Sequence, residues 1–300
     1  MSLPKPVFPG SVYMITRRCT QRKFLLKPSE AHNEAWNYIL AYAARQARVH
    51  LIWTMVESNH HHTGVYDPEG RISVFCRELH RLVAKFFNAG YGRFEYFWAS
   101  GPPGRLRLEG PEDILDKLVY SISNPAKDHL VEKSVQWPGV VTTPEHLCST
   151  RTVRRPKAYF RENGVMPQEL ELTFHKPPGF EEMSTETFRA LVQSKVEEVE
   201  AKAAREREET GQRVLGVHLI LKQHHEESPS SYAKYFKLRP QVGARSKWRR
   251  VEAIRRLKSF VEAYRAALVR WRAGERDVVF PYGTNMMRLV HGVRCCPSSG

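Results

Sequence analysis

Cysteine and acid are both scarce in this chain. The five cysteines (Cys19, Cys76, Cys148, Cys295 and Cys296) are odd in number and scattered, and none forms a Cys-x-x-Cys pair. That argues against a structural zinc site and against a disulfide framework. No stretch approaches the length of a membrane span, and Met1 to Gly10 lacks the apolar run of a secretory leader. The expectation is a cytoplasmic protein that makes no membrane contact. Internal repeats and low-complexity tracts are also missing.

The shortage of acid is relative. Against 32 Asp and Glu stand 47 Lys and Arg, a formal net charge of +15 over 300 residues. Such an excess concentrates anions at the surface and favours a polyanionic partner, nucleic acid first among them. The length suffices for one large domain or two modest ones with a buried core.

Ser11 to Arg18 reads as a strand, opened by Pro9-Gly10 and followed by a turn crowded with Arg17, Arg18, Arg22 and Lys23. Pro28-Ser29-Glu30 opens a helix to about Ala47. Val49 to Val56 and His60 to Tyr66 are strands, and Ile72 to Asn88 is an amphipathic helix. Leu106 to Leu108 is a short strand, and Glu112 to Ser123 a helix stopped by Pro125. That order suggests an antiparallel-rich sheet with helices laid on it, an α+β sandwich.

Beyond about Gly139 the pattern predicts a strand at Glu169 to Phe174, a charged helix at Thr185 to Arg207 and a strand at Val214 to Leu221. A long helix follows from Ser246 to Arg272. Its apolar positions Val251, Ile254, Leu257, Val261, Tyr264, Leu268 and Trp271 step by three and four. From Arg239 to Arg272, eleven Lys or Arg face two Glu, so this helix could lie along a phosphate backbone with Lys247, Arg249, Arg250 and Arg255 forward. The acidic residues Glu206 to Glu209 and Glu226-Glu227 would repel DNA and are expected to face away. The implied division is 1–140, 141–235 with no assigned role, and a basic helical 236–300.

The chemistry-bearing segment is Asn59-His60-His61-His62, followed by Tyr120-Ser121-Ile122-Ser123-Asn124-Pro125. Alternate strand residues share a face, so His60 and His62 point the same way, about 6–7 Å apart along the backbone. That pitch suits two imidazoles on one divalent metal, and an amide oxygen from Asn124 would complete a site for Mn²⁺ or a hydrated Mg²⁺. Asn124 lies four residues after Tyr120, on the same face if the helix continues. Taken alone, Tyr120 among Leu118, Val119 and Ile122 reads first as a core side chain and only second as a nucleophile, and the His triplet first as a solvated strand end and second as a metal site.

These motifs, in this order, resemble the HUH single-tyrosine transposases, and most closely the REP-associated tyrosine transposases. There a strand carries Pro-Asn-His-hydrophobic-His and a later helix Tyr-Ile-x-x-Asn-Pro. Val135-Gln136-Trp137-Pro138 resembles the family's Trp-Pro segment, and the Arg-rich turn after the first strand recurs as well. The resemblance covers roughly residues 8–140. It implies a ferredoxin-like or RNA-recognition-like sandwich with an antiparallel sheet and helices on one face, extended here by the basic C-terminal helices.

The resemblance further implies that His60 and His62 hold a divalent metal, Mg or Mn, with Asn124 as third ligand. Tyr120 would attack a phosphate of single-stranded or hairpin DNA, giving a 5′-phosphotyrosine and a free 3′-hydroxyl that can reverse the step. Arg17, Arg18, Arg22, Lys23 and the basic helix would bind the DNA, placing the protein at the nucleoid. The alternative is a domesticated DNA-binding descendant without transposition activity. Three departures bear on that choice: His61 occupies the normally hydrophobic position, Thr63-Gly64 replaces an apolar pair, and Trp98-Ala99-Ser100 lacks a common Gln. Whether the protein acts as a monomer or a dimer stays open.

Overall fold

Alternation of Val12, Met14 with Tyr13, Ile15 gives strand β1 (Ser11–Arg18) two apolar faces, and burial of all four follows from its central position. The computed structural model describes residues 4–158, 160–161, 163–231 and 240–297. Helix α1 (Glu30–Ala47), whose N-terminus is capped by the Ser29 hydroxyl accepting from His32 N–H, leads to β2 (His50–Glu57) and β3 (His60–Asp67). Then come α2 (Ile72–Gly90), β4 (Gly104–Leu108), α3 (Pro111–Ile122) and a single turn, α4 (Asn124–Lys127).

The sheet order is β2-β3-β1-β4, with all these neighbours antiparallel. A two-residue strand from the C-terminal region (Val242–Gly243) adds to β4 in parallel, so the five-stranded sheet is mixed rather than purely antiparallel.

Both faces of the sheet are covered, which corrects the expectation of helices on one side. Tyr13, Ile15 and Val65 pack with Trp36, Ile39, Phe75 and Leu79 of α1 and α2. Val12, Met14, Ile52 and Trp53 pack with Ile114, Leu118 and Ile122 of α3. The reason is the second apolar set on β1 and β2, which α3 must cover to leave water. A hairpin of β5 (Thr150–Arg154) and β6 (Glu169–Thr173) adds Leu170 and Leu172 to the first core. Helix α5 (Thr185–Thr210) adds Phe188, Val192 and Val196 to the second, capped by Ser184 and ended by Gly211 at φ +69°.

The segment expected as a strand at Val214 to Leu221 is instead a short helix, α6 (Val217–Lys222). Leu215 and Gly216 donate backbone hydrogen bonds to the carbonyls of His129 and Leu130, and Gly216, at φ +83°, turns the chain out of extended conformation. The unbroken apolar run from Leu219 to Leu221 fits helix and strand alike.

The basic helix is present as α7 (Lys247–Arg272), followed by α8 (Met286–His291). Its buried seam is Ala253, Phe260 and Ala267, seven residues apart, joined by half-buried Tyr264, Leu268 and Trp271. Val251 and Ile254, expected on the buried stripe, are exposed. Arg239, counted in the basic run, lies outside the described residues.

Candidate metal and nucleophile site

Register carries the site. Thr16 lies opposite His62 and Arg18 opposite His60, so the central strand supports both histidines from one side. On β3 the even residues His60 and His62 face α3, while His61 faces α1 and α2. The imidazoles of His60 and His62 stand edge to face with centroids 5.0 Å apart. His62 Nδ1 is 2.9 Å from Thr16 Oγ1, and His60 Nδ1 is 2.8 Å from Asn59 Oδ1. Neither Nε2 atom has a hydrogen-bond partner among the described residues. Burial pushes His62 well below the ordinary imidazole range and His60 down to about 4, so both rings are neutral near pH 7.

Tyr120 comes from α3. The apolar stripe Ile114, Leu118, Ile122 turns to the sheet and leaves Tyr120 at its margin, 37% exposed rather than in the core. Its ring centroid is 5.7 Å from that of His62. Two ammonium groups flank the ring, Lys127 at 4.4 Å and Lys117 at 5.5 Å. The helix does not continue through Asn124. It ends at Ile122, and Pro125 sits in the first turn of α4, where its missing N–H costs nothing.

Asn124 is 1% exposed, and its Oδ1 has no hydrogen-bond partner among the described residues. Its side chain lies near Glu57, a buried carboxyl at the end of β2. Glu57 Oε2 lies 3.4 Å from His60 Nδ1, and burial pushes this carboxyl up to about 8. Glu57, Thr16 and Lys127 are the site residues that sequence reasoning missed. Glu57 left one signal, an acid closing a strand that is apolar from Leu51 to Val56 except at Thr54, but Thr16 is tied to His62 only by strand pairing.

Among the described residues no three His, Cys, Asp or Glu side chains converge on one point. A cation here would therefore need the two imidazoles and the amide oxygen of Asn124. Beside His60 opens a cleft of about 880 Å³, lined by Thr16, Arg18, Arg22, Lys127 and Ser228 among others.

The departures from the histidine motif have a physical account. His61, fully buried, bonds through Nδ1 to Thr63 Oγ1 and through Nε2 to His80 Nε2, each at 3.0 Å. Thr63 Oγ1 also meets Thr54 Oγ1 at 3.0 Å, and Trp98 Nε1 donates to His80 O at 2.8 Å. Gly64 leaves room for the Trp53 indole, since a Cβ there would stand 2.1 Å from the ring. A hydrogen-bonded polar chain, in which only His80 Nδ1 lacks a partner among the described residues, thus stands where the motif led us to expect apolar packing behind His60 and His62.

The basic residues divide. Arg18 is exposed beside His60, whereas Arg17 is half-buried on the opposite face, 5.4 Å from the Trp98 ring centre. Arg22 donates to Ser231, and Lys23 pairs with Glu226, which also pairs with Arg93. Glu226, expected to face away from DNA, lies against the Arg-rich turn expected to bind it, because Phe24 N–H donates to Glu227 O and holds the segment there. On α7, Arg249 pairs with Glu112, while Lys247, Arg250 and Arg255 are exposed and have no ion pair among the described residues.

Among the described residues no helix is long and apolar enough to cross a membrane. No family model matches the chain, and no curated protein matches it. Among solved structures, a REP-associated tyrosine transposase bound to a REP hairpin is similar at 17% identity and a TM-score of 0.39, over 45% of this chain and 78% of that one. A candidate transposase from Deinococcus radiodurans R1 is similar at 16% identity and a TM-score of 0.28, over 38% of this chain and 88% of that one.

Proposed function

We propose that the protein is a metal-dependent, single-tyrosine DNA strand transferase acting on single-stranded or hairpin DNA. The carrying observation is that neutral His60 and His62 share one strand face with Tyr120 5.7 Å from His62 and an unpartnered Asn124 Oδ1 nearby. The sheet order β4-β1-β3-β2 supports a ferredoxin-like core.

The donor set of two imidazole nitrogens and an amide oxygen fits Mn²⁺, or Mg²⁺ retaining waters. When bound, such a cation polarises the scissile phosphate and neutralises charge that develops on it. His60, His62 and Asn124 would hold it. The Tyr120 Oη would form a bond to phosphorus as the bond to the 3′ oxygen breaks. The product is a 5′-phosphotyrosine and a 3′-hydroxyl; the phenol loses the proton that the 3′ oxygen gains. Attack by a 3′-hydroxyl reverses the step with no external energy source. Lys127 Nζ, 4.4 Å from the Tyr120 ring centre, would stand beside the incoming phosphate.

Arg18 and the exposed cations of α7 supply backbone affinity, and Phe94 and Tyr96, both fully or nearly fully exposed, are available to stack on unpaired bases. The test is a denaturing gel for a covalent protein–DNA adduct, using hairpin-containing single strands from the gene's own flanks with Mn²⁺. An adduct formed by the wild type and lost in Tyr120→Phe is expected. Its absence from the wild type on the correct flanking strand, with salt-sensitive binding intact, would instead assign the chain to DNA binding without strand transfer.

A further inference from the structure

We propose that a cavity beneath the C-terminal region binds one phosphate group, supplied by a nucleic-acid backbone or as free phosphate; only the first of these sources rests on the DNA reading above. The sequence places its cations by period. In Gly104-Arg105-Leu106-Arg107-Leu108, alternate residues share a face. Leu106 and Leu108 join the core beneath α3, so Arg105 and Arg107 take the opposite face of β4, paired with Ile15 and Tyr13. There the two-residue strand Val242–Gly243 and helix α7 close over them and leave a cavity of about 30 Å³. Lys5, Arg105, Arg107 and Arg256 line it together with Phe8 and Gln241, and no acid among the described residues does.

The guanidinium groups are held in place. Arg105 Nη1 donates to Ser73 Oγ at 2.9 Å, and Asn285 Nδ2 donates to the same oxygen at 2.8 Å. Arg107 Nε donates to Glu109 Oε1 at 2.7 Å, and its guanidinium lies 4.9 Å from the Phe8 ring centre. Arg256 reaches Glu109 at 3.4 Å and Glu252, which does not line the cavity, at 3.9 Å. Glu109 thus serves two arginines, and Arg105 has no ion pair among the described residues. Like charges gathered in a half-buried site repel, and an oxyanion among them relieves this. Planar guanidinium forks match phosphate oxygens. The cavity has room for about two waters, at roughly 10–15 Å³ each, so it admits a single oxyanion rather than a base. A groove of about 590 Å³ shares Phe8, Arg107 and Arg256 with it and extends to Pro111 and Tyr282, which leaves space for a chain carrying the phosphate. This phosphate is not the one Tyr120 would attack. Tyr13 lines the cavity, whereas Thr16, three residues or about 10 Å along β1 and on the other sheet face, holds His62.

The test uses the full chain in chelator, which keeps it separate from the metal reading. Sodium phosphate, titrated against chloride at equal ionic strength, should raise the thermal midpoint by about 2–4 °C at ten times its apparent dissociation constant. R105Q combined with R256Q should abolish that rise. In the same double variant, fluorescence anisotropy of a labelled hairpin should show the slope of log affinity against log salt flattened by about 0.9, the share of one phosphate. R105K with R256K keeps the charges and should recover most of the slope. If the glutamine pair does not fold, R105Q alone decides.

A phosphate effect lost in the variant with an unchanged hairpin slope would assign the site to free phosphate, and a flattened slope without a free-phosphate effect would assign it to the backbone. No phosphate-specific rise in the wild type, together with an unchanged slope in the double variant, would overturn the site. A wild type that binds no hairpin yet is stabilised by phosphate would remove the DNA reading and leave this inference standing.

Discussion

His61 Nε2 and His80 Nε2 lie 3.0 Å apart in the core, so one ring donates the proton that the other accepts. With His61 Nδ1 bonded to Thr63, the pair locks β3 to α2 directly behind His60 and His62. Such a network rewards completeness, because removing one member strands the others. His61→Val should therefore destabilise the protein by about 1–3 kcal/mol. The double change His61→Val with His80→Leu should cost less than the sum of the two singles, by about 0.5–3 kcal/mol of coupling. Urea unfolding of the four proteins measures this directly, and strict additivity would show that the two rings stand independently.

The same burial sets a pH dependence. His61, His62 and His80 are held well below the ordinary imidazole value, by burial first and then by neighbouring imidazoles and cations, and His60 is held at about 4. As pH falls below about 6.5 the unfolded chain takes up protons that the folded chain refuses. Each imidazole kept neutral then removes up to about 1.4 kcal/mol of stability per pH unit. Glu57 acts in the opposite sense. Its carboxyl is raised to about 8, so its contribution is complete below about 4.3 and is lost as pH rises through 8. Four imidazoles outweigh one carboxyl, and the metal-free protein should lose stability steeply from pH 6.5 to 4. Unfolding curves in chelator across that range test the sum, and the His61, His80 double variant should show a shallower slope.

Gly64 faces the Trp53 indole where β2 carries an irregularity between Leu51 and Trp53. An alanine methyl would overlap a fully buried ring that cannot swing aside. Gly64→Ala should therefore lower stability by about 1–3 kcal/mol, and with it the midpoint of thermal unfolding. Co-substitution Trp53→Leu should recover part of the loss, since it removes the overlapping atoms.

Much of this was legible in the sequence because it is local. The strand at Ser11, the helices at Glu30, Ile72 and Thr185, and the shared face of His60 and His62 follow from periods of two and 3.6. What escaped is set by distant partners. Thr16 and Glu57 join the site only through strand register, and β5 has little apolar patterning before it pairs with β6. The second covered face of the sheet was written in the alternation of Val12 and Met14, but only the packing of α3 reveals its use. The short helix at Val217 was missed because an apolar run without a pairing partner has no unique period.

The basic helix separates structural from free cations. Arg249 pairs with Glu112 across to α3, whereas Arg250 and Arg255 have no ion pair among the described residues. Phosphate contacts appear as salt dependence, each lowering the slope of log affinity against log salt by about 0.9. Arg250→Glu combined with Arg255→Glu should weaken hairpin DNA binding at low salt and flatten that slope by about 2. Arg249→Gln should change it less, because its guanidinium already has a carboxylate partner and a surface pair contributes only about 0–1 kcal/mol to stability. Fluorescence anisotropy of a labelled hairpin at several salt concentrations separates these cases. An unchanged slope in the double reversal would confine α7 to packing through Ala253, Phe260 and Ala267.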